Sequence, residues 1–209
     1  MDKQELTYDI LRELFNISVG KAADMLSEII DRKIVLNVPN VGIFDSKDDY
    51  VNLGTSLPSV LDGTLMVSSI SFEETLTGKA NLIFPVEKMR KFIKLCSNDE
   101  EDSWEMDFTD VDFDIIKEIG NIILNCIIGE IGNYLDINLT YSVPKVKVFD
   151  KIDFNKDIED NGNNCVLLLY ITFIIDDTEI EGAIIIDLTL NSLNKLIEKI
   201  DIIRDELYE

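Results

Sequence analysis

One polar pattern occurs twice in this chain at a constant offset of 105 residues, and that recurrence limits the fold more than any other feature. Asp9, Glu13 and Asn16 return as Asp114, Glu118 and Asn121, and each set is followed after the same interval by a proline, Pro39 and then Pro144. Side chains three and four apart on an α-helix project from one face. The spacing D-x3-E-x2-N therefore sets two carboxylates and a carboxamide in one row, and each copy presents one polar stripe.

The surrounding residues predict what carries the stripes. From Leu6 to Ile30, the apolar residues Ile10, Leu11, Leu14, Phe15, Ala22, Met25, Leu26 and Ile29 fall on one side at about 100° per residue. Asp9, Glu13, Asn16, Gly20 and Ser27 fall opposite, which predicts an amphipathic helix whose motif faces away from the core. Arg32 and Lys33 suit the helix C-terminus. Ile34, Leu36 and Val38 alternate as a strand does up to Pro39, which has no N–H for a ladder and should end or bend it. Residues 42–63 read as a long irregular connection. The runs 65–72 and 79–84 read as a hairpin, and Pro85 suits the first turn of a shorter helix ending near Leu95.

A stretch rich in Asp and Glu, residues 98–112, reads as a solvated linker merging into the next helix, where acidic residues are favoured. The order then repeats. A helix from about Asp110 to Leu135 precedes a strand through Ile137, Leu139 and Tyr141 to Pro144, which Val146 and Val148 extend. A polar segment, 150–164, precedes the apolar runs 166–175 and 180–188 and a final helix from about Asn191 to Leu207. The expected organisation is one domain, 1–209, built of two repeats, 1–97 and 113–209, each an α-β-β-β-α unit. Their strands are expected to share one sheet with the two long helices packed on a face of it, an α+β fold.

Composition removes several functions. Lys and Arg number 19 against 41 Asp and Glu, a formal charge of -22, which repels nucleic acid and anionic membrane surfaces alike. Apolar residues make up 46% of the chain, which argues against disorder. There is no histidine, so the usual general base and metal ligand are absent, and Ser18 and Ser27 have nothing to activate them. Cys96, Cys126 and Cys165 are odd in number and flanked by apolar residues, as buried thiols in a reducing compartment are. Asp153, Asn155 and Asp157 copy the start of an EF-hand loop, but Ile158 stands where the turn needs glycine and Asn164 where a bidentate glutamate belongs. No metal or cofactor of the chain's own is expected. The opening residues MDKQELTYDI do not read as a signal peptide, and the apolar run 166–175 is about half the length of a membrane-spanning helix. A cytoplasmic protein is expected.

One acidic stripe on an amphipathic helix is what solvation produces. The second helix is different, because Ile115, Ile116, Ile119, Ile122, Ile123, Leu124, Ile127, Ile128 and Ile131 surround it nearly completely, yet Asp114, Glu118, Asn121 and Asn125 still cluster. Such a helix is normally buried, and asparagine is a poor helix former. A stability argument does not choose Asn121 there.

The pattern D/S-x3-E-x2-N-x22-P resembles the signature of the CheC, CheX and FliY phosphatases of bacterial chemotaxis, and both copies match it: Asp9, Glu13, Asn16 and Pro39, then Asp114, Glu118, Asn121 and Pro144. The likeness extends over essentially the whole chain. It implies a CheC-like fold and hydrolysis of the aspartyl phosphate of the response regulator CheY. By resemblance, Asn16 and Asn121 position the attacking water, while Glu13 and Glu118 pair with the regulator's active-site lysine. Asp9, Asp114, Pro39 and Pro144 support the site, and the partner brings Mg²⁺ and the phosphorylated aspartate. Such chemistry is largely positioning and charge stabilisation, so it needs no histidine. The resemblance also implies the CheD deamidase as a partner. Phe15 stands where the second copy has Gly120, the glycine of the family's usual E-x-G-N, and is expected to change how the first helix approaches a partner. The competing expectation is a docking or flagellar-switch protein that binds a regulator or CheD with little or no turnover. Switch proteins carry a further C-terminal domain, for which no residues follow the last helix, so the enzyme is the favoured expectation.

Overall fold

The computed structural model describes residues 3–44, 61–97, 108–150, 165–175 and 178–208. In chain order they form α1 (Lys3–Ile30), β1 (Ile34–Phe44), β2 (Thr64–Glu74), β3 (Gly78–Pro85), α2 (Val86–Ser97), α3 (Asp110–Leu135), β4 (Leu139–Tyr141), β5 (Lys145–Asp150), β6 (Cys165–Ile175), β7 (Thr178–Leu188) and α4 (Leu190–Tyr208). The EF-hand-like positions 153–164 and the acidic stretch 98–107 lie outside the described residues. Strand β1 runs three residues, 42–44, into the stretch read as a connection, and 45–60 is again outside.

Local chemistry sets the ends of the long helices. Thr109 accepts a hydrogen bond from the Asp112 N–H (3.2 Å) while Asp112 accepts one from the Thr109 N–H (2.7 Å), a reciprocal box that fixes the first turn of α3. Helix α3 ends at Asp136 (φ 53°) and α1 at Asp31 (φ 55°), both left-handed and both at the same repeat position. Aspartate tolerates that conformation better than most residues. Arg32 and Lys33 consequently lie beyond the helix, and the last turn of α1 holds no basic residue.

All described strands join one antiparallel sheet in the order β1-β6-β7-β3-β2-β4, with β5 also on β2. The order is nearly a palindrome of the two units. The hairpins β2–β3 and β6–β7 meet at β3–β7, while the first strand of each unit leaves its own hairpin for the other's: β1 pairs with β6, and β4 and β5 pair with β2. Neither unit can complete its sheet alone. Both motif prolines thereby fall at the edges of the sheet, Pro39 within β1 and Pro144 between β4 and β5, where a missing N–H costs least.

The helices cover one face. Leu11, Phe15 and Leu26 of α1, Ile123 and Ile127 of α3, Phe92 of α2 and Ile200 of α4 pack with Ile70, Leu82, Leu167, Phe173 and Ile184 of the sheet in one cluster. Leu61, Leu65, Val67, Ile83, Val166, Leu168, Ala183 and Ile185 form a second cluster on the other face. Burial on both faces is why the strands read as continuous apolar runs. A polar row crosses this second face: Ser69 donates to Asn81 (2.8 Å), whose Nδ2 donates to buried Asp187 (3.0 Å).

Helices α1 and α3 lie side by side. Lys21 donates to Glu130 (2.6 Å), and the Cys126 thiol contacts the Met25 sulfur (3.7 Å). Lys21 and Cys126 are equivalent by the repeat, as are Met25 and Glu130, so the pairing is reciprocal and antiparallel about a twofold-like axis. Met25 and Ile29 therefore depart from the expected core face. The buried stripe of α1 is Leu11, Leu14, Phe15, Ser18, Val19, Ala22, Ala23 and Leu26, and these two residues lie at its edge, 48% and 62% exposed.

The hydrogen bond from Lys21 holds the Glu130 carboxyl below its ordinary value, against some desolvation. Lys21 is more than half exposed, so solvent screening limits the pair to about 0.2–1 kcal/mol. A lowered folded pKa gives stability that is present above the unfolded pKa and is lost as pH falls through the folded one. Lys21→Ala is thus expected to lower the urea midpoint slightly at pH 7 and by less at pH 3. An equal loss at both pH values would assign the effect to packing.

Candidate functional site

On α1 the motif is closed onto the sheet. Pro39 interrupts the ladder of β1 with β6, whose register shifts between Asn37 and Asn40. Val38 drops out of that register, and Asn16 takes up its backbone: the Val38 N–H donates to Asn16 Oδ1 (2.8 Å), and Asn16 Nδ2 donates to the Val38 carbonyl (3.1 Å). The same Nδ2 donates to the Arg12 carbonyl one turn back (2.9 Å). This supplies a physical reason for the N-x22-P interval, because the amide sits opposite the residue that the proline displaces. It also corrects the expectation that Asn16 points outward: both its donors and one acceptor position are engaged. Asp9 is paired with Arg12 (2.8 Å). Glu13 is exposed and, among the described residues, without a hydrogen-bond or ion-pair partner.

On α3 the same positions are arranged differently. Pro144 splits the edge strand into β4 and β5, and the gap is bridged by serines: the Ser142 N–H donates to the Ser71 carbonyl, and the Ser71 N–H donates to Ser142 Oγ, both at 2.9 Å. Val143, the counterpart of Val38, is 72% exposed where Val38 is 1%. Asn121 is left off the strand. Its Oδ1 accepts from Asn125 Nδ2 (2.7 Å), and among the described residues its own Nδ2 has no protein partner. Asp114 and Glu118 are exposed on the same stripe and, among the described residues, unpaired. Among the described residues, the second motif thus offers two free carboxylates and a free amide donor, whereas the first offers one carboxylate alone. Because the two helices run antiparallel, the asparagines are on the order of 20 Å apart along the seam at about 1.5 Å per residue.

Phe15 and Gly120 occupy one repeat position and explain part of the difference. A Cβ on Gly120 would overlap Ser68 Oγ and lie 2.5 Å from Ser68 Cβ, so glycine is what lets α3 sit down on β2. Phe15 is fully buried and fills the corresponding space under α1. Its bulk therefore bears on helix-to-sheet spacing and presents nothing to a partner.

The remaining candidates are structural. Ser18 Oγ donates to the Leu14 carbonyl, and Ser27 Oγ donates to that of Ala23 while accepting from the Ile34 N–H. Burial, reinforced by Glu130, pushes the Cys126 thiol up, away from nucleophilic use, and Cys165 is buried. The side chain of Cys96 lies outside the described residues. No helix among them is long and apolar enough to cross a membrane. Two features have no counterpart in the sequence reading: the closure of Asn16 on Val38, and a contact made by Asn125. The signal for the second was a difference between the repeats, Gly20 against Asn125.

Comparison with known proteins reaches the first copy of the signature directly. Residues 8–43 match the model of the CheC-like family. The chain is 29% identical over 150 residues to the CheY-P phosphatase CheC of Bacillus subtilis, covering 69% of this chain and 68% of that one. Among solved structures, Thermotoga maritima FliY superposes with a TM-score of 0.72 at 20% identity, over 93% of this chain and 95% of that one. The FliM middle domain of H. pylori gives 0.59 at 13% identity, over 95% and 99%. These likenesses establish the fold. Together with the sequence matches they support the CheC/CheX/FliY family. Within it, the curated relative to which this chain is similar is a CheC protein.

Proposed function

We propose that the protein hydrolyses the aspartyl phosphate of CheY, and that the second motif carries the reaction. The observation that supports this reading is on α3, where exposed Glu118 is followed one turn on by half-buried Asn121, whose amide is held by Asn125 and has no other protein partner among the described residues. Asn121 orients a water in line with the phosphorus. The water oxygen forms the new bond, the bond from phosphorus to the aspartate oxygen breaks, and the proton leaves with solvent or the released phosphate. Glu118 pairs with the lysine of the regulator's active site and so sets the docking register. Mg²⁺ and the phosphorylated aspartate come with the regulator. The work of this chain is to place one donor at the right point.

The first motif favours a second reading for its own end of the helix pair. With Asn16 closed on Val38 and Glu13 free, that end docks a partner without turnover, a regulator or the CheD deamidase. A cytoplasmic location follows from such partners. Mixing the purified chain with phosphorylated CheY and Mg²⁺ tests the main reading. Dephosphorylation is expected to accelerate in proportion to the chain added, and an unaltered decay rate leaves docking as the function.

A further inference from the structure

We infer that Asn125 is the positioning residue for the Asn121 carboxamide, and that Gly20, at the same place in the first unit, is why Asn16 is free to close onto Val38. The inference rests on the phosphatase reading of the second motif and adds to it a residue outside the signature. Asn125 is a poor choice for a helix interior. Its Oδ1 is buried without a hydrogen-bond partner among the described residues, and such an oxygen costs stability. A residue that harms the fold on two counts needs another reason to be there. Its one side-chain hydrogen bond among the described residues supplies it: Nδ2 donates to Asn121 Oδ1 (2.7 Å), which ties the acceptor to α3, leaves the Asn121 donors to a visitor, and holds the amide away from the edge strand.

The first unit is the internal control. Gly20 has no side chain to hold Asn16, and the Asn16 amide lies against Val38. There is room for one, since beyond the helix's own backbone and the two chain neighbours no heavy atom of the described residues lies within 4 Å of a Cβ built on Gly20. The difference in amide orientation therefore coincides with one residue one turn further along each helix.

The test uses the full chain and the variants Asn125→Ala and Gly20→Asn. Asn125→Ala is expected to lower kcat for CheY-P dephosphorylation about tenfold, with KM within twofold, because the docking carboxylate Glu118 is untouched. The melting temperature should be unchanged or raised, since the buried oxygen goes. Side-chain amide NMR supplies a readout that needs no activity. In the wild type the Asn16 amide protons are expected to exchange slowly and those of Asn121 quickly but from one fixed orientation. Asn125→Ala should give Asn121 averaged signals, and Gly20→Asn should speed Asn16 exchange severalfold. Unchanged Asn121 and Asn16 amide signals in these variants would overturn the inference whatever the kinetics. A wild type with no phosphatase activity but with these amide changes would overturn the phosphatase reading and leave the positioning role standing.

Discussion

Replacing Asn121 by alanine is expected to slow catalysed dephosphorylation of CheY on the order of 100-fold, the usual cost of removing one preorganised donor from a reaction centre. Stability should stay within about 1 kcal/mol of the wild type, because the amide bonds only to Asn125 among the described residues. Asn16→Ala is expected to do the reverse. It strips partners from the N–H and carbonyl of Val38, a residue only 1% exposed, and unsatisfied buried backbone costs about 1–3 kcal/mol. Activity should remain within about twofold. The two changes lie far enough apart to add, so the double variant should combine the defects of both. Initial-rate measurements on phosphorylated CheY and urea titrations separate these outcomes. Equal loss of activity from the two single variants would contradict the asymmetry.

Phe15→Ala should be the most destabilising of the substitutions considered, at about 3–5 kcal/mol. The ring is fully buried between α1 and the sheet, and the space it fills is the space that Gly120 closes by contact under α3. Gly120→Ala tests the other half of this complementarity. Its new methyl meets Ser68 on a strand that cannot retreat, an overpacking cost of about 1–3 kcal/mol, and Ser68→Gly should recover part of it. For Phe15→Ala, activity per folded molecule is expected to be unchanged, because the ring never reaches the surface. A Phe15→Ala protein of normal urea midpoint but altered affinity for CheY would show instead that the residue acts on docking.

Much of this architecture was legible in the residues. The boundaries of α3 followed from the acidic first turn and the apolar periodicity to Leu135, and the hairpins followed from paired apolar runs around Gly78 and before Thr178. The α+β sheet with two long helices on one face followed from the repeat. The crossed pairing of β1 with β6 did not, because edge partners are chosen by three-dimensional closure, and both hairpins carry similar apolar runs. Nor did the closure of Asn16 follow. Periodicity places a side chain on a face, but the path of β1 past Pro39 decides whether that face meets solvent or a strand. Val38 and Val143 are the same residue type at the same repeat position, one tucked under α1 and the other exposed on the split edge. Ser142, which takes over the bridging at that split, has no signature in a single sequence.

Whether α3 alone completes the regulator's reaction centre is read by NMR of the labelled chain titrated with Mg²⁺-loaded CheY carrying a stable aspartyl-phosphate mimic. Saturable shifts are expected at the side-chain amide of Asn121 and the backbone of Glu118, with the Asn16 amide still bonded to Val38 and unchanged. Release of the Asn16 amide from Val38 on binding, with Asn121 unaffected, would contradict the account.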